Sequence, residues 1–399
     1  MRFARRRAGM PKSSIRELNE FGQSVWLDNI NRSMLTTGKL KEMIELGLCG
    51  MTSNPTIFDK AISSSVDYDE RIVELCEAGK STFEIYDDLT IKDVQDAADI
   101  FLPIYKESKG LDGYVSLEIN PRLAYKTEET IKEGKRLYQK VNRPNVMFKV
   151  PATKQGFSAM EELLASGINI NSTIIISLEQ YANTANAYIR GIKRILPPHQ
   201  RFWCGGLQNK GDVSKIRSVA SVFVSRIDTY IDNLLDQLLV KEQEQKKKVI
   251  LMSLKGKAAA SNSGLIYQKF LEIFSTQDFK PLQEKGANLQ RVLWGSTSTK
   301  NPDYSDIKYV SELTAKDTVN TMPEQTFNAF LDHGKVKQAL TSDISTAEKT
   351  IGSLKNLGID INDVCAQLLQ DGVSAFERSF DSLLNSIEKK GKSICKSKQ

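Results

Sequence analysis

The sequence predicts an α/β protein, a single-domain (β/α)8 TIM barrel with additional helices, and three observations predict it. Short apolar runs with polar ends recur eight times. Amphipathic helical runs separate them, and no Pro/Gly/Ser-rich linker cuts the body between them. A doubly wound open sheet is the competing arrangement of the same alternation. At 399 residues the chain exceeds what a barrel needs, about 250 residues, and the surplus falls between 56 and 106 and after 323.

The strand candidates, in order, are 24–29, 49–54, 112–119, 145–151, 169–177, 219–225, 291–295 and 318–322. Each is short and apolar, as parallel strands covered on both faces must be. The helices between them declare themselves by period. Ile91, Val94, Ala98, Phe101 and Ile104 share one face, as do Leu178, Tyr181, Ala185, Tyr188 and Ile192. Ile227, Tyr230, Leu234 and Leu238 repeat the pattern. Lys248–Leu254 has the composition of a strand but follows the charged run 241–248, and it reads as an exposed insertion between the sixth and seventh strands. Asp332-His333-Gly334 follows a helical run and reads as a helix end.

Composition narrows the function. No run of 18 apolar residues occurs, so no membrane span is expected. Five cysteines are odd in number, widely spaced and without a C-x-x-C pair, which argues against a disulfide framework or a cysteine zinc site and for a reducing, cytoplasmic setting. Two histidines, His199 and His333, cannot build a multi-histidine metal centre. Gly206–Gly211 begins like a phosphate loop but lacks its Lys-Ser/Thr ending, and no G-x-G-x-x-G fingerprint is present. The sequon at Asn171 falls in an expected buried strand, which argues against glycosylation there.

The net charge of +6 raises nucleic acid as a partner, and its distribution answers the question. Residues 1–16 carry +6 and residues 389–399 carry +5, so the remaining body is at −5. The expected organisation is a basic, disordered arm over 1–16, the barrel over 17–388, and a basic tail over 389–399 that frays as a helix end. The arm is Arg-rich and acid-free like a transit peptide but short for one, which favours a cytoplasmic protein over an organelle-targeted one. Aromatic residues show no stacking-platform pattern.

A barrel takes its catalytic groups from the C-terminal ends of its strands. Those ends offer Asp28, Asn54, Glu118, Lys149, Asn171 with Thr173, Ser221, Ser298 with Lys300, and Thr321. Burying such groups is unfavourable unless they are paired or used. Lys149 sits in Val-Met-Phe-Lys-Val-Pro (146–151) without a local acid. An apolar strand disfavours the ammonium form, and a neutral amine can attack a ketone to form a Schiff base. A lysine snorkelling to solvent or pairing with Glu118 is the alternative. Asp28 and Glu118 supply two carboxylates for the proton transfers that imine chemistry needs, unless Asp28 caps a helix and Glu118 pairs with Arg122.

At these positions the chain resembles transaldolase, the class I Schiff-base family, in its longer bacterial and plastid-type branch. The resemblance covers about residues 17–386. Its motifs are Ser-Val-Trp-Leu-Asp (24–28), Gly-Met-Thr-Ser-Asn-Pro-Thr-Ile-Phe (50–58), Val-Ser-Leu-Glu-Ile (115–119) and Phe-Lys-Val-Pro-Ala-Thr (148–153). They continue with Gly-Ile-Asn-Ile-Asn-Ser-Thr (167–173), Ser-Val-Phe-Val-Ser-Arg-Ile-Asp (221–228), Leu-Trp-Gly-Ser-Thr-Ser-Thr-Lys-Asn-Pro (293–302) and Asp-Thr-Val-Asn-Thr-Met-Pro (317–323).

The resemblance implies Lys149 as the Schiff-base lysine, Asp28 as the acid/base, and Glu118 with Thr173 holding a catalytic water. It implies Asn54, Asn171 and Ser221 on the dihydroxyacetone unit, and Arg226, Ser298 and Lys300 at the sugar phosphate. Some branches carry arginine where Lys300 stands; lysine keeps the charge and loses the bidentate fork. The stretch 241–254 looks inserted, and Ala258–Gly264 looks looser than the helix start the family has there.

The activity implied is reversible transfer of dihydroxyacetone between sedoheptulose 7-phosphate or fructose 6-phosphate and an aldose phosphate, in the pentose phosphate pathway. Sugar phosphates are the partners, without metal, organic cofactor, nucleic acid or membrane; monomer and homo-oligomer both fit the sequence. Two alternatives stand beside it: a Schiff-base aldolase on the same barrel that releases free dihydroxyacetone, and a basic-tailed nucleic-acid-binding protein.

Overall fold

The structure, a computed structural model, describes residues 13–195 and 212–397. Eight parallel strands close into one barrel in sequential order: β1 (Gln23–Asp28), β2 (Gly50–Thr52), β3 (Val115–Glu118), β4 (Val146–Pro151), β5 (Ile170–Ile175), β6 (Ser218–Phe223), β7 (Arg291–Gly295) and β8 (Thr318–Met322). Closure comes from pairing β1 with β8, with Trp26 opposite Thr321. The closed barrel is the expected one, the open sheet is not formed, and each strand overlaps its predicted run.

The barrel interior is packed. Trp26, Tyr114, Met147, Val219, Leu293 and Val319 form a cluster of their own inside the ring. Gly50 is required here: a Cβ on it would lie 2.7 Å from the Trp26 indole, so the bulky ring on β1 dictates a bare backbone on β2. A polar network crosses the N-terminal end. Arg291 donates to Ser24 at 2.7 Å and to Asp112 at 3.0 Å, and the Trp26 indole donates to Asp112 at 3.1 Å. The catalytic candidates stand at the other, C-terminal end, where barrels of this kind carry their chemistry.

Of the helical faces read from periodicity, Ile91, Val94, Ala98 and Phe101 are buried on Thr82–Glu107, and Tyr181, Ala185, Tyr188 and Ile192 on Leu178–Ile195, while Ile104 and Leu178 are half-buried. On Ser225–Lys241 Ile227 is buried and Tyr230, Leu234 and Leu238 only half-buried. Asp332-His333-Gly334 ends the helix Glu324–His333, as expected. Lys248–Leu254 lies between β6 and β7, as expected of an insertion, and its strand-like composition folds as part of a helix, Gln245–Leu254. A closed barrel offers no sheet edge for another strand to pair with. Leu251 and Leu254, three apart, turn to the core while Val249, Ile250 and Met252 stay exposed. Ala258–Gly264 is the regular start of the helix Ala258–Phe274.

The first helix, Ser14–Phe21, begins inside the stretch assigned to the basic arm. Ser13 caps it by accepting from the Arg16 amide, and Ile15 is fully buried, so these residues are held by the barrel domain. At the other end a helix of 37 residues, Ile361–Ser397, runs unbroken through the lysine-rich segment. Lys390 pairs with Asp69 at 2.7 Å and donates to the Ile62 carbonyl at 2.8 Å. Residues 1–12, His199 and the Gly206–Gly211 loop lie outside the described residues. Among the described residues no helix is long and apolar enough to cross a membrane.

Candidate active site

Strand register assembles the centre of the site. Glu118 on β3 is the partner of Lys149 on β4, and Lys149 is the partner of Asn171 on β5. Three polar side chains from adjacent strands therefore stand at one level of the barrel. Lys149 is 4% exposed, so it does not snorkel to solvent. Its Nζ donates to the Ser53 carbonyl at 3.0 Å and lies 3.2 Å from Oε2 of Glu118. The ion pair is off-axis: among the described residues neither Glu118 oxygen receives a directed hydrogen bond, and the buried Thr173 hydroxyl is also unpartnered. Buried polar groups left in this state are strong candidates to meet a ligand or an ordered water.

Asp28 ends β1, opposite Thr52. It accepts a hydrogen bond from Thr52 at 2.8 Å, and Thr52 contacts Thr321 at 2.7 Å, so two hydroxyls orient the carboxylate from the side. Asn171 donates to Ser116 at 3.1 Å and accepts from Ser221 at 2.6 Å. Asn54 caps the helix Pro55–Ser64 through its Oδ1, which leaves its amide NH2 for other partners. Asp28, Thr52, Asn54, Lys149, Thr173, Ser221, Phe223 and Thr321 line a small cleft of about 30 Å³ at the barrel mouth. Glu118 and Asn171 join it through Lys149 and Ser221.

Arg226, Ser298 and Lys300 do not line that cleft. They occupy the segments that follow β6 and β7. Lys300 is exposed and donates to Ser298 at 2.6 Å. Arg226 packs its guanidinium over the Phe223 ring at 5.1 Å. Glu118 contacts Lys149, and Arg122 pairs instead with Asp381.

The electrostatics follow from burial. Burial pushes the Asp28 carboxyl up, against the opposing effects of Lys149, the Thr52 hydrogen bond and Lys300. Burial also pushes Glu118 up, countered by Lys149 and reinforced by the Asp28 charge. Two carboxyls that hold protons more tightly than usual flank one amine, an arrangement suited to passing protons. Burial lowers Arg226 below the usual guanidinium range, opposed by Asp371.

Several site residues escaped the sequence reading. Thr52 is one, brought beside Asp28 by the pairing of β1 with β2. Phe223 is another, hidden as one more apolar residue in a strand. Phe376, on the C-terminal helix, stands with its ring 5.7 Å from Lys149 Nζ and has no local signal at all. Ile174, next to Thr173, has φ of +57°, a strained value for a β-branched residue. The strain coincides with a register shift between β5 and β6, and Gln180 braces it by donating to the Ile174 carbonyl at 3.1 Å. Such strain gathers at functional sites.

Comparison with known proteins bears on the family of the chain. Residues 25–387 match the family described as transaldolase/fructose-6-phosphate aldolase. A protein named transaldolase from Trichodesmium erythraeum is 42% identical over 388 residues, covering 96% of this chain and 99% of that protein. One named transaldolase 2 from Nostoc sp. is 43% identical over 380 residues, 94% of this chain and 97% of its own. A transaldolase from Arthrobacter sp. is 43% identical over 374 residues, 93% of this chain and 96% of its own. The barrel, the buried lysine between two carboxyls and the full-length similarity have one explanation: the chain belongs to the transaldolase/fructose-6-phosphate aldolase family.

Proposed function

We propose that the chain is a transaldolase that moves a dihydroxyacetone unit between sugar phosphates, with Lys149 as the Schiff-base nucleophile. The observation that carries the reading is the enclosed Lys149 amine, 3.2 Å from one carboxylate and in the same cleft as a second. Lys149 attacks the ketone of fructose 6-phosphate or sedoheptulose 7-phosphate. Glu118, with a water held beside Thr173, assists loss of hydroxide from the carbinolamine and leaves an iminium. Asp28 removes the C4 hydroxyl proton, the C3–C4 bond breaks, and an aldose phosphate departs. The electron pair of that bond enters the iminium as an enamine, which a second aldose phosphate captures in reverse order.

Asn54, Asn171 and Ser221 hold the hydroxyls of the retained unit. Arg226, Ser298 and Lys300 meet the phosphate, where position supplies the charge that the acidic body lacks. The dispersed cysteines favour a reducing, cytoplasmic setting. Release of free dihydroxyacetone is the second reading, since the family spans both activities by name. Full-length similarity to proteins named transaldolase favours transfer. Borohydride reduction with fructose 6-phosphate, followed by peptide mass mapping, tests the reading. A dihydroxyacetone-derived adduct on Lys149 is expected, and an adduct elsewhere or none defeats it.

A further inference from the structure

We infer that Phe376, carried by the C-terminal helix, is a positioning residue that shields the Lys149 Schiff base from water and so sets transfer above hydrolytic release. This inference rests on the proposed Schiff-base function. The Phe376 ring is 6% exposed and stands 5.7 Å from Lys149 Nζ. It meets Phe223, which lines the cleft, edge to face with centroids 6.1 Å apart and planes at 86°. Two aromatic rings, one from β6 and one from the helix, thus stand as a corner beside the reacting amine. Glu118 occupies another side of the same nitrogen.

Hydrogen bonds tie the stretch of helix just after Phe376 to the barrel domain. Thr56 bonds Ser379 at 2.8 Å, Arg122 bonds Asp381 at 3.0 Å, and Ser386 bonds Asp59 at 2.8 Å. One turn before Phe376, Gly372 allows the helix to approach the barrel. A Cβ there would stand 2.8 Å from the Ile174 side chain and 3.3 Å from the Arg226 guanidinium.

The shielding matters at one step. Between aldehyde departure and acceptor arrival, protonation of the enamine carbon gives an iminium. Water then adds to its carbon, the C–N bond breaks, and free dihydroxyacetone leaves with the Lys149 amine restored. One water is consumed and nothing is oxidised or reduced. The water beside Thr173 must still make and break the imine, so the ring acts earlier: it keeps bulk water from the three-carbon enamine until the acceptor aldehyde arrives, and excluding side reactions in this way is a recognised task of enclosed sites.

The test compares the full-length chain with Phe376→Ala and Phe376→Leu. Fructose 6-phosphate is supplied with and without erythrose 4-phosphate, and free dihydroxyacetone and sedoheptulose 7-phosphate are measured together. The release-to-transfer ratio should rise at least about tenfold in Phe376→Ala and less in Phe376→Leu, which keeps apolar bulk. Borohydride should still trap Lys149 in both. An unchanged ratio overturns the inference, including the case where both rates fall in parallel as a merely structural role would give. If Phe376→Ala does not fold, the ratio in Phe376→Leu decides in the same way. A wild-type chain that traps no adduct and transfers nothing defeats the Schiff-base reading itself, an outcome separate from any change in ratio.

Discussion

Glu118 and Lys149 are register partners on adjacent strands, and the carboxylate of one stands 3.2 Å from the amine of the other in a site closed to solvent. The sheet itself fixes this pair, so neither side chain needs to search for its geometry. Burial raises the Glu118 carboxyl, and the neighbouring Lys149 opposes that rise.

Glu118→Gln keeps the shape and removes the charge. Loss of hydroxide from the carbinolamine should slow, and kcat should fall by about 10²–10⁴-fold, the usual contribution of a positioned acid or base. Time-resolved borohydride trapping should show the Lys149 adduct forming slowly toward the wild-type end point. Trapping at the wild-type rate would remove Glu118 from imine formation.

Asp28→Asn separates the two halves of the reaction. Asparagine can keep the contact with Thr52, now 2.8 Å from Asp28, while it no longer accepts the C4 hydroxyl proton. The imine should form and carbon–carbon cleavage should fail, with kcat lower by about 10²–10⁴-fold. After borohydride, mass mapping should find the whole hexose phosphate on Lys149 in place of the three-carbon fragment. A three-carbon adduct formed at the normal rate would exclude Asp28 as the base.

These groups were legible in the sequence to different degrees, for physical reasons. Lys149 stood out because an apolar parallel strand has no structural need of an amine, and Asp28 and Glu118 because they end such strands. The strands were legible because burial on both faces demands short apolar runs bounded by polar residues. The placement of Lys248–Leu254 as an insertion was legible from the charged run before it, but its helical form was not, because apolar residues in a short run read alike as strand or helix. Phe376 was not legible at all. It reaches Lys149 only because the last helix is pinned across the barrel mouth through Thr56, Asp59 and Arg122, contacts that no local pattern encodes.

Gly372→Ala should act on the phosphate end of the site. The added methyl, 2.8 Å from the Ile174 side chain and 3.3 Å from Arg226, must push the helix outward or displace the guanidinium. Ile174 cannot yield easily, since its backbone is already strained at φ +57°. Overpacking of this kind costs about 1–3 kcal/mol, visible as a lower Tm. Displacing Arg226 should raise KM for phosphorylated donors more than it lowers kcat. Equal kinetics in the variant would show that Arg226 has no part in phosphate binding or that the helix shifts freely.

Asp228 offers a test of the fold through pH. Its carboxylate accepts from the Ala259 amide at 2.7 Å and from the Tyr309 hydroxyl at 2.9 Å, tying the helix Ser225–Lys241 to its neighbours. Burial nevertheless pushes it from the ordinary 3.8 up to about 6, because these bonds only partly replace lost hydration. A raised carboxyl pKa means that the folded chain holds this proton more tightly than the unfolded chain. Stability from this group therefore falls as pH rises from about 4 through about 6, and the loss is complete by neutral pH. The Asp228→Asn variant has no proton to lose at this position, and its side-chain carbonyl can still accept from the Ala259 amide. Relative to that variant, the wild type should lose about 1 kcal/mol of stability between pH 5 and pH 7. Denaturant melts of both proteins at the two pH values measure this difference. Parallel pH dependence in the two would show that Asp228 is charged throughout that range.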